Sequence, residues 1–170
     1  MSEKLEEVVG KLLTEKKLTV ALGESCTGGL VSHRLTNVPG SSTYVRGGII
    51  AYSNEAKERL LEVRHDTLYE HGAVSMETAI EMARGAQQAL GADIGLSVTG
   101  IAGPGGGLPG KPVGLTYIAL AARDAERVER FVWNGDREEN KAQSAEAALA
   151  MLKEYLEAGH GTVPIFGWDG

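Results

Sequence analysis

The chain has 170 residues, enough to bury a core and few enough for one domain. Its formal net charge is -6, from 17 Lys+Arg against 23 Asp+Glu, and no basic cluster could neutralise a phosphate backbone, which argues against nucleic acid as a partner. The single cysteine, Cys26, excludes an intramolecular disulfide, and no run is long and apolar enough to span a bilayer, so a cytoplasmic protein with no membrane partner is expected.

Leu5, Val8, Val9, Leu12 and Leu13 recur at helical spacing and predict an acidic amphipathic helix over residues 3–16. The apolar run 18–22 reads as a strand and 30–35 as the start of a helix. Between them stand Glu24, Ser25, Cys26, Thr27, Gly28 and Gly29. A strand, a tight turn and a helix start aim backbone N–H groups at one place, where an oxyanion or a phosphate is stabilised.

A second strand is expected over 46–52, with Gly47 and Gly48 permitting close backbone approach. Asn54 follows as the expected N-cap of a helix over 55–61. A short helix over 66–71 closes at Gly72. Ser75 then caps a longer one, with Ala79, Ile80, Ala83, Ala86 and Leu90 as its buried stripe and Gly91 as its stop. Residues 93–99 read as a third strand, and 113–121 and 128–133 as two more, paired through a polar turn around Asp124.

The last helix opens at Asp136, whose spacing to Glu139 matches a capping box, and is expected to bury Ala142, Ala145, Leu149, Leu152 and Leu156. No repeat or linker is visible, so residues 1–158 read as one domain. A tail over 159–170 carries Val163, Ile165, Phe166 and Trp168, and its apolar character makes a homo-oligomer the expected state. Strands interleaved with helices predict the α/β class, a three-layer α/β/α sandwich around a mixed, mostly parallel sheet.

Two nucleophiles occupy the first turn. Ser25 would present its hydroxyl beside amide N–H groups, although a serine there also serves as a plain helix cap. Cys26 is the rival, with a small buried thiol as the ordinary alternative. A serine needs a base, and none of His33, His65, His71 and His160 falls in an expected strand-end loop. Lys57 is better placed. Three residues after Asn54, it would sit in the positive end of a helix dipole, which favours the neutral amine a general base requires. The alternative is a surface lysine paired with Glu55 or Glu58. Tyr52, just ahead of that helix, could relay a proton between Ser25 and Lys57, or simply pack.

Thr99, Gly100 and Gly103 belong to a second glycine-rich stretch, running to Gly107, that follows a strand as a ligand loop in an open α/β sheet would. It is no P-loop, because Pro112 rather than Ser/Thr follows Gly110 and Lys111. Nor does a helix open from it, as a dinucleotide fingerprint requires. Arg137, in the first turn of the last helix, could add charge to the same pocket.

Seven segments taken in order then carry a resemblance: ESCTGG at 24–29, PGSS at 39–42, GGIIAYSNEAK at 47–57, GAVS at 72–75, TGIAGP at 99–104, KPVG at 111–114 and GDR at 135–137. Together they resemble the CinA C-terminal domain family over about residues 5–156. That resemblance implies deamidation of nicotinamide mononucleotide, with a serine nucleophile, a lysine and neither metal nor cofactor. It places Ser25 as nucleophile, Lys57 as base and Tyr52 beside them. A small-molecule nucleotide would bind the turn, Gly48, Thr99, Gly100, Gly103 and Arg137. A nucleotide-binding or regulatory module without chemistry is the competing reading. The family more often has alanine where this chain has Gly23, which is expected to loosen the turn.

Overall fold

The structure is a computed structural model and describes residues 2–158; the tail over 159–170 lies outside the described residues. Six α-helices and five strands follow in the order α1 (Leu5–Lys16), β1 (Val20–Glu24), α2 (Leu30–Thr36), β2 (Val45–Ile50), α3 (Asn54–Leu61), α4 (His65–His71), α5 (Met76–Ala89), β3 (Ile94–Gly100), β4 (Leu115–Ala121), β5 (Glu126–Val132) and α6 (Arg137–Ala158), with a short 3-10 turn at Ser41–Thr43. The sheet order is β2-β1-β3-β4-β5. β1 pairs in parallel with β2 and β3, whereas β4 runs antiparallel to both β3 and β5, so β4 alone is reversed. The expected mixed, mostly parallel α/β/α sandwich is what forms.

Alternation along the strands splits the core into two chemistries. Val20, Leu22, Ile94, Leu96, Val98, Ile118 and Leu120 point to one face and meet α1, α2 and α6 through large aliphatic side chains. The other face is built of small residues, among them Ala21, Gly95, Ser97, Ala119 and Ala121, and carries α5 with α3 and α4 outside it. Smallness there lets backbone touch backbone: a Cβ at Gly95 would overlap the Ala83 carbonyl, and one at Gly85 would overlap the Leu61 carbonyl. The Ser97 hydroxyl donates to Ala79 O at 2.6 Å, so the close approach also satisfies a buried polar group.

Local corrections have local causes. β1 begins at Val20 because the Thr19 N–H is taken by the Asp93 carboxylate at 2.8 Å. Gly23 lies inside that strand beneath Met82 O and Leu61, so its lack of a side chain serves helix packing. In α6, Ala142 faces outward, whereas Asn140, Ser144, Ala148, Met151 and Tyr155 are buried with the expected leucines. A helix wedged between α1 and the sheet needs a wider buried arc than a single stripe. The capping box at its start is present in both directions, at 3.1 Å and 2.9 Å between Asp136 and Glu139.

Candidate active site

β1 connects to β2 on one side and β2 crosses to β3 on the other, so the carboxyl end of β1 opens on the crevice where such sheets bind ligands. Ser25 is the first residue beyond β1, and its N–H donates to Val98 O of β3 at 2.9 Å. Lys57 reaches it from α3. Its Nζ lies 3.1 Å from Ser25 Oγ and donates to Ala51 O at 2.9 Å. Ala51 N–H in turn donates to Glu24 O at 2.8 Å, so an extra rung of the β1–β2 ladder carries the lysine's carbonyl partner up to the serine.

Lys57 is only 2% exposed and forms no ion pair among the described residues. Burial pushes its pKa below the ordinary lysine value, because a desolvated ammonium with no counter-charge is disfavoured. The cause differs from the expected one. The N-cap is Ser53, whose hydroxyl accepts from Ala56 N–H at 3.1 Å, not Asn54. Lys57 is therefore the fourth helical residue, where the dipole acts more weakly, and burial supplies the shift.

The turn itself is held from below. The Glu24 carboxylate, 1% exposed, accepts from the Thr27 hydroxyl at 2.6 Å, Val31 N–H at 3.0 Å, Ser32 N–H at 2.9 Å and the Ser32 hydroxyl at 2.6 Å. Four donors explain how an unpaired carboxylate stays buried. Glu24 and Thr27, both expected to touch substrate, thus have their side-chain groups committed to each other and to α2. Gly48 has a similar role: a Cβ there would overlap the Ser32 hydroxyl, so its missing side chain clears room for the clamp.

Above the clamp, Gly28 and Gly29 take φ of 59 and 102, the left-handed region that glycine enters without strain. Gly28 N–H and Leu30 N–H close the turn on Ser25 O and Thr27 O at 3.0 Å and 3.1 Å. The N–H groups of Cys26, Thr27 and Gly29 donate to no acceptor among the described residues. They are the donors available to an anion at Ser25. Cys26 is poorly suited to attack, since burial pushes its thiol up to about 12 and keeps it protonated.

The remaining residues form the rim. The Thr99 hydroxyl donates to Ala73 O at 2.7 Å, and a Cβ at Gly100 would crowd Thr116 Oγ1 at 2.6 Å, so both mainly shape the floor. Arg137 donates to Gly103 O at 2.7 Å and to the Tyr52 hydroxyl at 2.9 Å. Tyr52, 61% exposed, is therefore tied to Arg137 and does not stand between Ser25 and Lys57, which meet without a relay. A cavity of about 310 Å³ opens among Gly103, Pro104, Val113 and Arg137.

Two residues of this rim lie beyond the sequence reading. Asn140, 2% exposed, donates to Ala102 O at 3.0 Å and accepts from Gly135 N–H at 2.9 Å, which fixes the rotation of α6. Lys141, one residue on, stands over Gly28: a Cβ built there would lie 3.7 Å from its Nζ. The four-residue step from Arg137 was the available signal for Lys141. Among the described residues, no three His, Cys, Asp or Glu side chains are grouped to hold a metal ion.

A mixed α/β sandwich with a buried serine–lysine pair at the carboxyl edge of its parallel strands defines the class of this domain. The chain belongs to the CinA C-terminal domain family, whose model matches residues 2–156. A CinA-like protein of Chlorobaculum tepidum is 57% identical over 153 residues, covering 87% of this chain and 36% of that protein. One from Citrifermentans bemidjiense is 51% identical over 154 residues, covering 91% and 37%. The chain thus spans little more than a third of those relatives. Among solved structures, competence damage-inducible protein A of Klebsiella pneumoniae superposes with a TM-score of 0.87 at 35% identity, covering 90% of this chain and 95% of that one. The competence/damage inducible protein CihA of Agrobacterium tumefaciens gives 0.82 at 40% identity, covering 92% and 99%.

Proposed function

We propose that this domain is an amidohydrolase that deamidates nicotinamide mononucleotide to nicotinate mononucleotide and ammonia. The observation that carries the reading is the buried Lys57 Nζ 3.1 Å from Ser25 Oγ, with no carboxylate to hold the amine charged. Membership of the CinA C-terminal domain family supports the reading, and the substrate is the one that the resemblance of the seven segments implies.

Neutral Lys57 takes the Ser25 proton as Oγ attacks the carboxamide carbon. The carbonyl oxygen becomes an oxyanion facing the free N–H groups of Cys26 and Thr27, each such donor contributing about 3 kcal/mol to a transition state. The C–N bond then breaks, the Lys57 ammonium returns its proton to the leaving nitrogen, and ammonia departs. Water attacks the ester on Ser25 and gives a proton to Lys57. Collapse frees the carboxylic acid, and the proton passes back to Oγ. Tyr52 acts in this scheme as part of the rim, held by Arg137, with no proton to carry.

The test is ammonia release from nicotinamide mononucleotide. Ser25→Ala should lose turnover at least a thousandfold while keeping the fold. Unchanged turnover in that variant sinks the serine mechanism, and absence of ammonia from the unaltered protein sinks the amidase reading.

A further inference from the structure

Two cations, Arg137 and Lys141, project from one face of α6 over the site, and they differ in what they are free to do. Arg137 is committed on both arms, to Gly103 O and the Tyr52 hydroxyl. Lys141 makes no hydrogen bond or ion pair among the described residues. Lys141 is half-buried as a residue and brings its Nζ over Gly28, and the N–H of the next residue, Gly29, has no acceptor among the described residues. Asn140 anchors the intervening turn of helix to Ala102 and Gly135, so the placement is built into the fold.

An unpaired ammonium over Gly28 and an unpaired amide at the next residue can together seat a compact dianion, which a lysine meets as a point charge. Ser25 and Gly29 stand at the two ends of one five-residue turn, which leaves the length of the turn between the reacting amide and its phosphate. We propose that Lys141, with the Gly29 N–H, receives the phosphate monoester of the substrate and is the residue that makes the enzyme select a nucleotide over its nucleoside. The inference rests on the amidase reading for the reacting end of the ligand only. Arg137 is then a positioning residue that holds the rim.

Two measurements separate the possibilities. In the first, ammonia release is followed with nicotinamide mononucleotide and with nicotinamide riboside. Lys141→Gln should raise KM for the mononucleotide about tenfold with kcat within twofold, the equivalent of about 1.4 kcal/mol, and leave the riboside unchanged. Lys141→Arg should restore most of the difference. In the second, ribose 5-phosphate and ribose are titrated against both proteins by calorimetry. Ribose 5-phosphate should bind the unaltered protein and weaken about tenfold in Lys141→Gln, while ribose distinguishes neither. Equal mononucleotide KM in the two proteins, or ribose 5-phosphate binding that ignores Lys141, overturns the proposal and leaves the amidase reading standing. Lys141-dependent binding without any ammonia does the reverse.

Discussion

Glu24 and Lys57 are both buried beside Ser25, at 1% and 2% exposure, yet they form no ion pair with each other. Each has been given a different solution to burial. Glu24 keeps a full set of four donors, whereas Lys57 has one carbonyl and one hydroxyl, a set that suits a neutral amine. Had the two been joined, the lysine would stay charged and could not accept the serine's proton.

Lys57→Met should therefore abolish turnover, by a thousandfold or more, and also stabilise the fold at neutral pH by about 1–2 kcal/mol. The sign follows from linkage. The folded-state pKa lies below the unfolded value of 10.5, so the unfolded chain binds more protons across that interval and stability rises with pH through it. Urea midpoints from pH 6 to 10 should climb for the unaltered protein and lie flatter for Lys57→Met; parallel curves would refute it.

The same displacement sets the rate profile. With Lys57 as base, kcat/KM should rise tenfold per pH unit on the acid side and level off at an apparent pKa below 10.5. Measurement with nicotinamide mononucleotide across pH 5–10 checks this, and a profile that falls with rising pH excludes a lysine base.

Glu24→Gln should lower stability by about 2–3 kcal/mol and reduce turnover with it, since the amide offers one acceptor oxygen where two now serve four donors. Gly48→Ala should act in the same direction by pushing on Ser32 Oγ. Thermal melts paired with ammonia assays test both. Loss of activity in Glu24→Gln without loss of stability would point instead to direct contact with substrate.

Cys26→Ala should keep most activity, and Cys26 in the folded protein should resist iodoacetamide at pH 8, because a thiol pushed up to about 12 holds almost no thiolate there. Rapid alkylation accompanied by inactivation would restore Cys26 as nucleophile.

The serine and the lysine were legible because each sits next to a local signal, a strand-to-helix turn and a helix start. Their partners were not. Glu24 is satisfied from Val31 and Ser32, seven and eight residues on, and Gly48 makes room from a different strand. Such matches depend on how α2 lies across the sheet, and spacing in the chain does not encode that. The shift from Asn54 to Ser53 as cap is of another kind, since adjacent residues of equal capping strength leave the choice to backbone geometry. The choice left open for Tyr52 turns on one distant contact, its bond to Arg137 85 positions away, which no local pattern announces.

That bond bears on when the site exists at all. Ser25 and Lys57 belong to the first third of the chain, but the guanidinium joining Tyr52 to Gly103 arrives only with the final helix. Synthesis thus delivers the reactive pair long before the part that closes its mouth. The rim around the Ser25–Lys57 pair is complete only once α6, the last of the described elements, has docked.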